Sequence, residues 1–211
     1  MLSEYMRIKF TKKGRIRYTS HLDLQRTFKS GLIRARVPLW YSKGFNPHPK
    51  LVFALTVSVG AESECELLDV RLDGEMEREE AIKNLRASFT SEMNILDVYA
   101  PERPFSEIAY SGYKIYVDCE LSNEEIDKML DGAIVITRRT KSGEKTEDIR
   151  SMIHSVKYEN GCVDAVLGAG NDRFLNPEYL VRALCEYTSS RICDYRIVRY
   201  AMYDKSFELF A

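Results

Sequence analysis

The stretch Ala100-Pro101-Glu102-Arg103-Pro104-Phe105-Ser106 constrains the fold more than any other feature of the sequence. Each proline fixes φ and removes a backbone donor, so neither a helix nor a strand runs through it. It falls near the middle of a 211-residue chain. A chain of this length accommodates two domains of about 100 residues each, either able to bury a core. The periodicity on the two sides of the break has the same order.

Before the break, Tyr5–Phe10 alternates apolar and polar residues, a strand signal. Thr11-Lys12-Lys13-Gly14 reads as a turn, and Arg15–Tyr18 extends or pairs with that strand. Ser20, with Asp23 three residues on, has the form of a helix N-cap. The helix reaches about Arg36 and stops before Pro38, with Leu24, Phe28, Leu32 and Ala35 on its apolar face. Leu51–Val59 and Glu64–Leu72 read as strands, Glu77–Phe89 as a helix, and Asn94–Tyr99 as a strand. After the break the expected elements are a strand over Tyr110–Glu120, a helix from Ser122 to Leu130 and a strand over Ala133–Arg139, with Gly143 in a turn. Ser151–Tyr158 and Cys162–Leu167 form a hairpin around Asn160-Gly161. Gly168-Ala169-Gly170-Asn171 reads as a turn, since it lacks the Gly-Lys-Ser/Thr of a phosphate loop. Asn176-Pro177 opens a helix to about Tyr187, and Asp194–Tyr203 is the last strand. Two consecutive β-α-β-β-α-β orders predict an α+β protein of two tandem ferredoxin-like units, residues 1–100 and 107–211.

Charge divides the chain in the same way. Residues 1–50 carry 12 Lys or Arg against 2 Asp or Glu, whereas residues 51–211 carry 19 against 30. A basic N-terminal unit and an acidic C-terminal one point to a face that attracts anions, or to a solvated basic face without a ligand. The acidic run Glu62-Ser63-Glu64-Cys65-Glu66 reads as the solvent face of a strand. No run of eighteen apolar residues occurs and the N-terminus lacks signal-peptide order, so no membrane segment and a cytoplasmic location are expected. Cys65, Cys119, Cys162, Cys185 and Cys193 match no zinc or iron–sulfur spacing and read as reduced core thiols.

Three constellations in the first fifty residues can carry chemistry. At Ser20-His21-Leu22-Asp23 a helix start presents free N–H groups and positive potential, suited to a phosphate or carboxylate. His21 there can act as an acid or base, or simply be solvated beside a structural cap. Arg26, Lys29 and Arg36 form a basic stripe, preceded by Arg15, Arg17 and Tyr18; cations interleaved with an aromatic ring suit a nucleic-acid backbone and unstacked bases. In Tyr41-Ser42-Lys43-Gly44-Phe45-Asn46-Pro47-His48-Pro49-Lys50, two prolines hold Asn46 and His48 in extended geometry. The loop is either a rigid site element offering Lys43, Asn46, His48 and Lys50, or a stiff turn in which Phe45 plugs the core. Trp40 and Tyr41 read as core or rim residues. No metal site is expected, and His154 reads as structural.

Three blocks together resemble a known family: Arg17-Tyr18-Thr19-Ser20-His21-Leu22-Asp23-Leu24-Gln25-Arg26, Tyr41 through Leu51, and Val59-Gly60-Ala61-Glu62-Ser63-Glu64. They closely resemble the bacterial radical SAM-linked proteins, a domain of unknown function accompanying a radical SAM protein. The resemblance implies a radical SAM partner and an RNA-related setting. The iron–sulfur cluster and S-adenosylmethionine would then belong to the partner, with no cofactor in this chain. At the level of fold alone, the tandem arrangement is similar to CRISPR repeat-cleaving endoribonucleases and tRNA pseudouridine synthases, which licenses no catalytic residue. The expected function is that of an RNA-binding accessory protein, more a non-catalytic companion than an enzyme. Two alternatives stand beside it: a ribonuclease-like enzyme using His21 and His48, with Asp23 a further catalytic candidate, and a protein–protein adaptor whose acidic half docks the partner.

Overall fold

The computed structural model describes residues 1–140, 143–170, 173–188 and 192–210, with side chains for all of these but 138–140. These described residues form a mixed α+β structure with mostly antiparallel sheets and four α-helices. The chain forms two compact units that divide between Phe105 and Ser106.

The first unit runs β1 (Tyr5–Lys12), α1 (His21–Arg34), β2 (Leu51–Phe53), β3 (Glu62–Arg71), α2 (Arg78–Ser88) and β4 (Ile95–Tyr99). Its strands lie in the order β4-β1-β3-β2, each antiparallel to its neighbour. Met6, Ile8 and Phe10 alternate along β1 into a core shared with Leu24, Phe28, Leu32 and Ala35 and with Ala81 and Leu85 of α2. Phe28 sits among three other rings, with centroids 4.5 Å from Phe10, 5.5 Å from Phe53 and 4.8 Å from Phe89. On the opposite side of β1, the buried Arg7 guanidinium donates to both oxygens of Asp69, its register partner on β3, at 2.6 and 2.8 Å. The Phe105 ring centroid lies 4.2 Å from the same guanidinium.

The second unit runs β5 (Tyr110–Val117), α3 (Asn123–Leu130), β6 (Val135–Thr140), β7 (Gly143–Asp148), β8 (Ile153–Glu159), β9 (Cys162–Gly170), β10 (Arg173–Phe174), α4 (Pro177–Tyr187) and β11 (Tyr195–Tyr203). Within it the order is β11-β5-β9-β8, again antiparallel, with β10 adding two residues to the end of β9. Asn160 (φ 51) and Gly161 (φ 77) both take left-handed backbone, as the two-residue turn of the β8–β9 hairpin requires. Ser122 and Glu125 form a reciprocal capping box on α3. The Asn176 side chain accepts from the Glu178 N–H at the start of α4.

The structure corrects several expectations at the level of elements. Gly14–Tyr18 is a 3-10 turn rather than strand. Gly14 turns the chain at φ 59, and two carboxylates take the local amides: Glu62 accepts from Gly14 N and Glu92 from Arg15 N, each at 3.1 Å. The strand expected over Leu51–Val59 ends at Phe53; the chain then leaves the sheet, and Gly60 N donates to Arg17 O at 2.9 Å. The strand after α3 does not enter the main sheet but pairs with β7 as a separate hairpin. Gly-Glu-Lys-Thr-Glu-Asp of β7 is polar and exposed, so it has no apolar face to bury. Gly168, Ala169 and Gly170 are strand residues of β9 rather than turn, while Asn171 lies outside the described residues. Glu62 and Glu66 are buried; only Glu64 of that run faces solvent, where it accepts from Lys13 at 2.7 Å. Of the five cysteines, none of them in a disulfide, only Cys65 is buried, and Cys193 is exposed. Among the described residues no helix is long and apolar enough to cross a membrane.

Gly31, on the buried face of α1, admits the Phe89 ring. A Cβ built there would stand 2.2 Å from Phe89 Cζ. Alanine in a helix is favoured over glycine by about 1 kcal/mol, while overpacking costs about 1–3 kcal/mol. Gly31→Ala is therefore expected to lower stability, whereas in a Phe89→Leu background, where Cζ is gone, the same change is expected to be neutral or stabilising. Urea denaturation of the four proteins measures this reversal; an additive cycle would contradict the packing described.

Candidate functional site

The candidate residues stand on three segments of the first unit: the 3-10 turn, α1 and the stretch between α1 and β2, where Arg36 (φ 57) falls beyond the helix and so off the stripe expected with Arg26 and Lys29. In the 3-10 turn, Arg17 folds back on Tyr18, with its guanidinium 4.8 Å from the ring centroid and donating to the phenol oxygen at 2.7 Å. That hydrogen bond is the main cause holding the Arg17 pKa above its ordinary value; a carboxylate oxygen of Glu62 lies 3.5 Å away. Tyr18 is itself exposed. Arg15 projects into solvent, with only a loose approach of 3.9 Å to Glu92.

The start of α1 is already occupied. Ser20 Oγ accepts from Asp23 N at 3.2 Å and donates to Asp23 Oδ2 at 2.7 Å. Arg26 donates to the other carboxylate oxygen at 3.0 Å. The carboxylate of Asp23 thus supplies the negative charge that a helix N-terminus favours, and an incoming phosphate would meet it as a like charge. The Ser20 hydroxyl, then Arg26, hold the Asp23 carboxyl below its ordinary value. His21 is exposed; its Nε2 lies 2.9 Å from the Gln25 amide nitrogen, and its ring meets Phe53 edge-on at 5.4 Å.

The loop is closed on itself. Ser42 N donates to His48 O at 2.9 Å, and His48 N donates to Ser42 Oγ at 3.1 Å. His48 Nδ1 lies 3.1 Å from the same hydroxyl and 3.3 Å from Asn46 O. Lys50 reaches the Tyr5 hydroxyl at 3.3 Å. Phe45 does not plug the core; it is fully exposed at the tip, beside Gly44 at φ 137. Trp40 is half-buried, with the Arg71 guanidinium 4.4 Å from its ring centroid.

The structure therefore assembles three separate groups: Arg17 with Tyr18, Ser20 with Asp23 and Arg26, and His48 with Ser42 and Asn46. No hydrogen bond, ion pair or ring contact joins His21 to His48. Lys29, Arg36 and Lys43 are exposed, and among the described residues their side chains make no ion pair or hydrogen bond. Among the described residues no three His, Cys, Asp or Glu side chains gather as metal ligands.

A cavity of about 630 Å³ in the second unit was not legible in sequence. Tyr110 of β5, His154 of β8, Arg173 of β10 and Lys205 after β11 line it. These residues come from four places in the chain and share no spacing, so only the assembled sheet brings them together. His154, expected to be structural, is exposed and packs against the rings of Tyr110 and Phe207, at 5.5 and 4.2 Å.

Fold and site together define a two-unit α+β protein with exposed cations on its first unit. The chain belongs to the family described as "Uncharacterized protein conserved in bacteria (DUF2344)", whose model matches residues 5–177. No curated protein matches it. Among solved structures it is similar to a chain of the "Cbf5-Nop10-Gar1 Complex", with a TM-score of 0.45 and 12% identity over 93% of this chain. This chain corresponds to 48%, about half, of the length of that one.

Two measurements check the helix start. Ser20→Ala removes the cap and is expected to cost about 1 kcal/mol in denaturant unfolding. Because the Asp23 carboxyl titrates below its ordinary value in the folded chain, its contribution is present above about pH 4 and is lost as pH falls through and below that range. Asp23→Asn is expected to flatten the acid limb of the stability–pH curve; an unchanged limb would show that the Ser20–Asp23–Arg26 contacts do not form.

Proposed function

We propose that the chain binds RNA through its first unit and works as the companion of a radical SAM enzyme that modifies RNA. The observation that carries the RNA half is that Lys29, Arg36 and Lys43 are exposed and, among the described residues, unpaired, and that Tyr18 and Phe45 are exposed as well. Unpaired cations release counterions from a phosphate backbone, and exposed rings take unstacked bases. Arg15, Arg17 and Arg26 contribute less, because each already faces a carboxylate within 4.0 Å. The radical SAM half rests on the resemblance of the three sequence blocks, and cluster and S-adenosylmethionine then belong to the partner. Tandem ferredoxin-like sandwiches are the architecture we assign, because the strand order in each unit is that of this fold. The cytoplasm is the setting that suits such a partnership.

The ribonuclease alternative needs His21 and His48 to act on one scissile group, and their separate contacts give it no support. An adaptor role has an observation in its favour: Tyr18, Leu22, Phe45 and Val59 are each exposed. Exposed apolar side chains suit a protein surface where they gather into a patch.

Titration with tRNA and rRNA fragments at increasing salt separates these readings. The expected outcome is a linear fall of log affinity with log salt. Lys29→Glu combined with Arg36→Gln is expected to reduce the slope by about 1 for each lost phosphate contact. Absence of binding at low salt, with copurification of the radical SAM partner, selects the adaptor.

A further inference from the structure

We propose that the cavity of the second unit binds a nucleoside phosphate, with the base against Tyr110 and His154 and the phosphate on Arg173 and Lys205. Its volume of about 630 Å³ lies in the range of small-molecule sites. Among the described residues the lining contains no carboxylate, although Asp and Glu outnumber Lys and Arg in residues 106–211. Arg173 and Lys205 are exposed, and among the described residues neither side chain makes an ion pair or hydrogen bond. A concave wall whose described residues include two exposed cations and no acid favours an anion.

The ring wall is held in place by local structure. Phe207 does not line the cavity, yet it stacks on Tyr110 at 4.3 Å with an interplanar angle of 17°. It does so from a left-handed backbone conformation, φ 62, that bulky side chains rarely adopt. The surrounding turn imposes it: Phe207 N donates to Asp204 O at 3.1 Å, and Asp204 Oδ1 accepts from Ser206 N and Glu208 N at 2.8 and 3.0 Å. A strained residue fixed by its neighbours, with its ring bracing two others, is the kind of outlier that accompanies function. On the cationic side, the backbone at Arg173 is fixed. A Cβ on Gly168 would stand 2.3 Å from Arg173 O, so only glycine lets β10 approach β9 this closely, and Leu175 N donates to Gly168 O at 3.0 Å. Aromatic faces beside paired cations take a planar base joined to a phosphate, supplied either as a free mononucleotide or as an unstacked nucleotide of a single strand.

The test is calorimetric titration of the full chain with AMP, GMP, CMP and UMP, with the four nucleosides, with inorganic phosphate, and with RNA tetranucleotides. The expected result is saturable binding of at least one mononucleotide or tetranucleotide, about tenfold or more tighter than the matching nucleoside or phosphate alone. Binding of mononucleotides assigns the free ligand, and binding of tetranucleotides alone assigns the strand. Arg173→Ala with Lys205→Ala, and separately His154→Ala, are each expected to weaken it by about tenfold. Lys29→Glu with Arg36→Gln is expected to leave mononucleotide binding unchanged, which separates this site from the cations of the first unit. Lack of saturable binding by every nucleotide probe overturns the proposal, as does binding unaffected by the Arg173 and Lys205 changes. Phosphate binding as tight as the mononucleotides overturns the role of the rings.

Discussion

The contact on which the first unit depends is the burial of Phe28 among Phe10, Phe53 and Phe89. These four rings come from β1, α1, β2 and the end of α2, so one cluster fixes how the first helix lies on the sheet. Such ring pairs contribute about 0.5–1.5 kcal/mol each beyond the area they bury. His21 lies at the cluster's edge, touching Phe53, seven residues or about two turns before Phe28 on the same helix. The position of the candidate residues on α1 is thus a consequence of core packing, with Gly31 giving Phe89 room to enter.

Electrostatics works against the simplest interpretation of the basic N-terminal segment. Its excess of cations is large only while the segment is considered alone. Folding brings Glu62, Glu64, Glu92 and Asp69 onto it, facing Arg17, Lys13, Arg15 and Arg7. Residues 1–105 as a whole hold 17 Lys or Arg against 14 Asp or Glu. Among the described residues, the exposed Lys29, Arg36 and Lys43 have neither an ion pair nor a hydrogen bond, so they are the cations of this segment most open to an anion. Exposed ion pairs contribute little to stability, but each one places a negative charge where an incoming phosphate would otherwise sit.

Most of the local structure was legible because it follows from short-range chemistry. The capping by Ser20, Ser122 and Asn176, the Asn160-Gly161 turn and the buried stripe of α1 each depend on residues within a few positions of one another. Elements decided by distant partners were not legible. Arg15–Tyr18 is polar enough to alternate like a strand, yet Glu62 and Glu92, some 48 and 77 positions away from the amides they accept from, turn it into a 3-10 turn. Glu66 looked solvated and is buried, because alternation along β3 does not reveal what covers each face. Phe45 looked like a core plug by residue type, but Gly44 and the Ser42–His48 closure carry it outward. The cavity in the second unit failed to register for the same reason: its walls are assembled across strands.

The two units differ in what they offer an anion. In the first, Ser20 and Asp23 occupy one amide and oppose the positive potential of the helix start, so the proposed polyanion would be held by long side chains in water. Such contacts are strongly screened by salt and indifferent to base identity. In the second, the Arg173 backbone is set by its close approach to Gly168, and the rings are braced by a strained turn. Groups ordered before a ligand arrives lose less entropy on binding and discriminate better between ligands. On the two proposals together, diffuse attraction would belong to the first unit and selectivity toward a nucleotide to the second.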